Sequence, residues 1–167
     1  MPRFFVEEIP EGEVYLGGED GRHVAKSLRM RPGETLTLCD GQGWDYPCTL
    51  VSTDGEGALV RVEDRQPSRG EPRTKVTVCQ CLAKGDKLDT VTQKSVELGA
   101  WEIWPVESSR CVVRLDGKSA GKKTARLQKI AREAAMQSGR GAIPRVLEPA
   151  PLKQALETAA KEGEILF

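Results

Sequence analysis

Lys129, Glu133, Gln137 and Arg140 are spaced by four, four and three residues. That interval places a cation, a carboxylate, an amide and a guanidinium beside one another on one face of an α-helix. Such a row can grip an anionic, hydrogen-bonding ligand. A solvated helix face carrying a Lys129/Glu133 pair, worth roughly a few tenths of a kcal/mol, has the same spacing. On spacing alone the solvated face is the better account, because charged helix faces usually meet water. Arg22, Lys26 and Arg29, at i, i+4 and i+7, form a second row suited to phosphates. His23 is the only histidine, which excludes a histidine-based triad and a multi-histidine metal site. Five cysteines cannot all pair within one chain. Cys79 and Cys81 would share one face of a strand, but no second pair completes a zinc set, so free thiols and no metal are expected.

The first row sits in the chain's strongest helical pattern. Leu127, Ile130, Ala131 and Ala134 recur at i, i+3, i+4 and i+7, and Gly139 is placed to stop the helix in a left-handed conformation. The net charge is zero, but residues 110–145 hold ten Lys/Arg against two Asp/Glu, and residues 1–71 hold eight against fourteen. A polyanion responds to charge within about a Debye length, roughly 10 Å, so this local excess keeps RNA binding open despite the balanced total. No apolar run approaches membrane-spanning length and the N-terminus lacks a signal-peptide pattern, so a cytoplasmic protein without membrane association is expected.

Around these rows the chain divides near residue 70. The first part is β-rich: strands open at Phe4–Val6, alternate over 34–39, and continue over 43–51 and 58–62. Asp40-Gly41 predicts a tight hairpin, and a helix over 22–31 is expected to turn Val24, Leu28 and Met30 inward. Residues 64–72, with two prolines, a glycine and no apolar period, read as a linker. A strand over 74–82 follows. Next come a helix with Leu88, Val91, Ser95 and Leu98 on its inner face and Gly99 as its stop, then a strand over 103–106. This is the crossover unit of a parallel sheet. Further strands are expected at 111–115, 145–147 and 164–167, with a helix over 151–161.

Several strings resemble the bacterial ribosomal RNA small subunit methyltransferase E family. They are Gln93-Lys94-x-x-Glu97-Leu98-Gly99, Glu107-Ser108-x-Arg110, and Glu133-Ala134-Ala135-x-Gln137-Ser138-Gly139-Arg140 followed by Pro144. The resemblance implies an S-adenosyl-L-methionine-dependent enzyme that methylates N3 of a uridine in 16S ribosomal RNA of the small subunit and works as a homodimer. It also implies an α+β fold of two domains. A small PUA-like β-barrel over 1–70 binds RNA, and an α/β SPOUT domain of the trefoil-knot type occupies 73–167, cut before the knot. By the same resemblance Lys94, Glu97, Arg110, Lys129, Glu133, Gln137, Ser138 and Arg140 lie on the substrate side, while Arg22, Lys26 and Arg29 are expected as RNA contacts from their own spacing.

Family members continue beyond the equivalent of Phe167 with a glycine-rich loop that wraps the cofactor. These 167 residues are therefore expected to be the substrate side of the enzyme, inactive alone, with cofactor contacts beyond Phe167. Uracil N3 lies on the pairing edge, so the base must be unpaired or turned outward, and its proton must leave. Glu97 and Glu133 are the carboxylates inside family-like strings, yet each serves equally well to orient a neighbouring cation, and no catalytic residue is assigned. The rival classes are a non-catalytic RNA-binding adaptor and a small-molecule α/β enzyme with a phosphorylated ligand.

Overall fold

The computed structural model describes residues 1–163, and they form two compact units. The first comprises Met1–Glu71 together with Gly139–Ala142, and the second comprises Pro72–Ser138 and the described residues from Ile143 onward.

In the first unit a mostly antiparallel sheet runs in the order β1-β3-β4-β5-β2, from β1 (Arg3–Phe5), β2 (Glu13–Leu16), β3 (Thr35–Cys39), β4 (Trp44–Thr53) and β5 (Ala58–Val62). β1 lies parallel to β3, and β6 (Gln66–Pro67) pairs with the start of β4. β4 thus serves β3 along one edge, and β6 and then β5 along the other. A register shift between Leu50 and Ser52 bends it to do so. Alternation sends Phe4, Val14, Leu16, Leu36, Leu38, Leu50 and Val60 into one apolar core with Val24.

Three local expectations change in this unit. The hairpin is wider than a two-residue turn: Asp40 Oδ1 accepts from Gln42 N (2.7 Å) and Trp44 N (3.1 Å), and positive φ falls on Gly41 and Gly43 rather than on Asp40. The expected helix over 22–31 starts earlier, as α1 (Gly18–Arg22), and continues as a π-helical turn over His23–Ser27. Val24 is buried and Met30 packs on the core as expected, but Leu28 is 40% exposed. Part of the expected linker is β6, held by its ladder to Trp44 and Asp45.

The second unit is built on a parallel sheet. β7 (Thr77–Cys81) pairs with β8 (Glu102–Glu107), whose far edge pairs with both β9 (Arg145–Val146) and β10 (Ala150–Pro151). Three helices complete the unit: α2 (Lys87–Glu97), α3 (Gly117–Gln137), which packs against it, and α4 (Leu152–Glu162). The inner stripe of α3 holds as expected, with Leu127, Ala131 and Ala134 buried. On α2 the buried positions are Leu88, Thr92 and Val96, an i, i+4, i+8 row, and Leu98 is 87% exposed. The expected Val91 and Ser95 are half-buried beside Thr92 and Val96, so the predicted stripe lies one step around the helix from the side that packs. No strand forms at 111–115. There a turn closed by Cys111 N to Ser108 O (3.1 Å) and a bond from Leu115 N to Glu107 Oε1 (3.2 Å) take the backbone groups a ladder would need. The strand expected at 164–167 lies outside the described residues.

Candidate functional site

In the second unit the carboxyl ends of parallel strands carry the concave surface, the position at which open α/β sheets take ligands. Cys81 ends β7 and Glu107 ends β8. A cavity of about 280 Å³ there is lined by Leu82, Lys84, Ser108, Arg110, Cys111 and Val112, among others. A second, about 650 Å³, lies between Glu107–Ser109 and the first turns of α4, with Leu152, Leu156 and Ala160 as its apolar wall. Arg110 is exposed on the 108–111 turn, so its charge is available at the rim. Glu107 points its carboxylate to the Leu115 amide and to Arg114 (3.4 Å), fixing where the turn leaves the sheet.

The basic helix is less free than its composition implies. Asp116 caps it by accepting from Ser119 N (2.8 Å). Asp89 of α2 pairs with both Lys123 (3.1 Å) and Arg126. Of the expected row, Lys129 and Glu133 face each other at 3.7 Å with both side chains mostly in solvent, and Gln137 is exposed. Ser138 Oγ donates back to Ala134 O (2.6 Å), so this hydroxyl satisfies a helix-end carbonyl. On α2, Lys94 and Gln93 both bond Glu97, at 2.7 and 3.0 Å; the Lys94 hydrogen bond holds the Glu97 carboxyl below its ordinary value. Glu97 is thus held as an ionised partner of Lys94.

Arg140 leaves the helix row altogether. Gly139 stops the helix at φ 77°, and the segment Gly139–Ala142 then packs within the first unit. There the Arg140 guanidinium is 3% exposed and bonds Glu71 through Nε (3.3 Å) and Nη2 (2.7 Å). The same carboxylate accepts from Gly141 N and Ala142 N, each at 3.0 Å. Burial pushes the Glu71 carboxyl up, but the Arg140 and amide hydrogen bonds outweigh it and hold it below its ordinary value. A Cβ on Gly141 would stand 1.8 Å from Ser68 Oγ, so only glycine permits this approach. A companion cluster surrounds Asp45, which takes a bidentate fork from Arg3 (2.6 and 2.8 Å) and a bond from Ser68 Oγ. Arg3 also reaches the Arg140 carbonyl at 3.4 Å. Neither cluster had a signal in the sequence, because partners such as Arg3 and Asp45 are tens of residues apart.

The first basic row is partly retained. Arg22 and Lys26 both face Glu56 on the β4–β5 turn, at 3.9 and 2.9 Å, with all three side chains at least half exposed. Arg29 lies past the π-helical turn, which ends at Ser27, and has φ 51°, so helical spacing does not carry the row as far as Arg29.

Over residues 70–167 the sequence matches the RNA methyltransferase domain family, and over 16–63 the RNA methyltransferase PUA domain family. Ribosomal RNA small subunit methyltransferase E of Bacillus subtilis is 37% identical, over 99% of this chain and 72% of its own length. The chain belongs to the ribosomal RNA small subunit methyltransferase E family. The relative of the same name from Mycobacterium bovis is 36% identical over 86% of this chain and 55% of its own length. A crystal structure of the Neisseria gonorrhoeae member, bound to S-adenosyl methionine, superposes with a TM-score of 0.83 at 38% identity, over 95% of this chain and 66% of that one. The chain therefore spans between about half and three quarters of the length of these family members.

The family's cofactor sets a test for the residues present. Gly21, Gly57, Gly99 and Gly141 admit no Cβ, but each is closed off by the protein's own atoms, and none lines the two cavities at the strand ends. The described residues thus offer no glycine-lined backbone cradle there for a nucleoside cofactor. Nor do they include a group of three or more metal-ligating side chains, or a helix long and apolar enough to cross a membrane.

Proposed function

We propose that the protein is an S-adenosyl-L-methionine-dependent methyltransferase that modifies N3 of a uridine in 16S ribosomal RNA of the small subunit. The observation that carries this reading is the likeness to ribosomal RNA small subunit methyltransferase E along nearly the whole chain. In this reading 1–70 is the PUA-like RNA-binding domain and 73–167 the first part of the SPOUT methyltransferase domain. The enzyme is a cytoplasmic homodimer.

The described residues serve the RNA side of the reaction. Arg22, Lys26 and Arg29 contact phosphates on the first unit. On the second unit Arg110, beside Lys84 at the cavity rim, offers a planar donor fork to a phosphate or to a uracil carbonyl of an unpaired base. Lys129, Gln137 and the Lys94/Glu97 pair supply the remaining polar contacts, with Glu133 orienting Lys129. Ser138 closes the end of α3 through Ala134 O, and Arg140 holds the Gly139–Ala142 segment of the first unit through Glu71.

The exposed cations Arg22, Lys26 and Arg110 suit a second reading equally well, a non-catalytic RNA-binding adaptor. One experiment separates the two. Protein expressed from the whole gene is incubated with unmodified small subunits and methyl-labelled S-adenosylmethionine, and the RNA is digested to nucleosides. Label in 3-methyluridine is expected; RNA binding without label supports the adaptor, and label in another nucleoside refutes the N3 assignment.

A further inference from the structure

The end of β7 and the turn after β8 bring two thiols to one cavity. Cys81 pairs in register with Val106 across the parallel ladder. Cys111, five residues beyond Val106, folds back so that its Sγ lies 3.9 Å from the Val106 carbonyl, which also accepts from Leu82 N at 2.9 Å. Val106 therefore has Cys81 beside it across the ladder and the Cys111 thiol against its carbonyl. Both are half-buried and line the cavity of about 280 Å³ that also carries Lys84 and Arg110.

The other three cysteines are placed differently. Cys39 and Cys48 are buried in the first unit, where loss of hydration pushes them up to about 12 and about 11. Cys79 is exposed and lies outside the cavity lining. Cys111 Sγ shares a hydrogen bond with the Ser108 hydroxyl and accepts one from the Ser108 amide, both at 3.4 Å, and these hold its thiol below the ordinary value. A half-exposed thiol held by hydrogen bonds, in a cavity that also carries two cations and a second thiol, has the surroundings of a reactive cysteine.

We propose that Cys81 and Cys111 are a modification site: a peroxide-sensitive pair that forms a reversible intrachain disulfide and closes the cavity at the strand ends. The Cys111 thiolate attacks one oxygen of hydrogen peroxide; an S–O bond forms, the O–O bond breaks, and hydroxide leaves and takes up a proton. The Cys81 sulfur then attacks the resulting sulfenic sulfur; the S–S bond forms, the S–O bond breaks, and the departing hydroxide takes up the Cys81 thiol proton and leaves as the second water. Two thiols are oxidised and one peroxide is reduced. This chemistry needs only the two thiols and stands whether or not the protein transfers a methyl group.

The test is peptide mapping of the whole protein after brief peroxide treatment and alkylation of the remaining thiols, without reductant. The expected product is a Cys81–Cys111 link with loss of two hydrogens, reversed by dithiothreitol, retained in Cys79→Ser and abolished in Cys81→Ser and in Cys111→Ser. Before oxidation, Cys111 should alkylate at least about ten-fold faster than Cys39 or Cys48, because thiolate fraction changes ten-fold per pKa unit. A link that survives Cys81→Ser, a link between chains through Cys79, or free Cys81 and Cys111 after treatment would overturn the proposal.

Discussion

Replacing Glu71 by glutamine changes one atom and removes the charge that faces a buried guanidinium. Glu71 Oε1 accepts from Arg140 Nε, Gly141 N and Ala142 N, and Oε2 accepts from Arg140 Nη2 at 2.7 Å. In the variant the remaining oxygen can keep the two amides, but the new NH2 then points a donor at Arg140 Nη2. Removing one partner of a buried ion pair costs about 3–5 kcal/mol. Glu71 keeps 21% of its side-chain exposure, so the lower end applies, about 3 kcal/mol. The control is Glu133→Gln, at a solvated pair 3.7 Å apart, where about 0.3–0.5 kcal/mol is expected. Urea unfolding followed by tryptophan fluorescence and circular dichroism measures both. Equal losses for the two variants would refute the reasoning, since they would mean that burial of Arg140 imposes no requirement for its partner.

Further outcomes follow from the same contacts. Hydrogen bonds hold the Asp45 and Glu71 carboxyls below their ordinary values of 3.8 and 4.5 despite burial. Their stabilisation is therefore complete above the unfolded-state values and is lost as pH falls through the lower folded ones. Unfolding free energy measured from neutral to acid pH should fall below about pH 4.5, and less steeply in Asp45→Asn. An unchanged slope in that variant counts against the Arg3 fork. Asp89→Asn should cost about 1–2 kcal/mol in urea unfolding, because Asp89 is largely buried and answers two cations of α3; a change near zero would show that α2 and α3 are held by apolar packing alone. Lys26→Ala with Arg29→Ala should weaken RNA binding about equally for cognate and scrambled sequences and flatten the salt dependence by roughly one unit per lost contact. A loss confined to the cognate RNA would contradict a phosphate-contact role.

Elements with a regular period are legible in the amino-acid sequence. The alternation of Thr35–Cys39 marks a strand, and the three-and-four spacing around Leu127 marks the long helix with Gly139 as its stop. Short elements are not legible: β2 carries its pattern over four residues, and β6 consists of a glutamine and a proline whose strand character comes wholly from the partner β4. Cys111–Leu115 has the composition of a strand, yet Val112 is 73% exposed and Glu107 takes the Leu115 amide, so tertiary context overrides propensity. In the candidate site the Lys129/Glu133 and Lys94/Glu97 pairs follow from helical spacing. The Arg140–Glu71 pair does not, because sequence spacing says nothing about partners brought together by the fold across 69 residues.

The most direct test of the central claim is made in the cell. Small subunits are isolated from a strain lacking this gene and from its parent, and the 16S ribosomal RNA of each is digested to nucleosides and analysed by mass spectrometry. The proposed activity requires that 3-methyluridine present in the parental RNA disappear in the deletion strain and return when the gene is supplied in trans. Undiminished 3-methyluridine in the deletion strain would contradict the assignment.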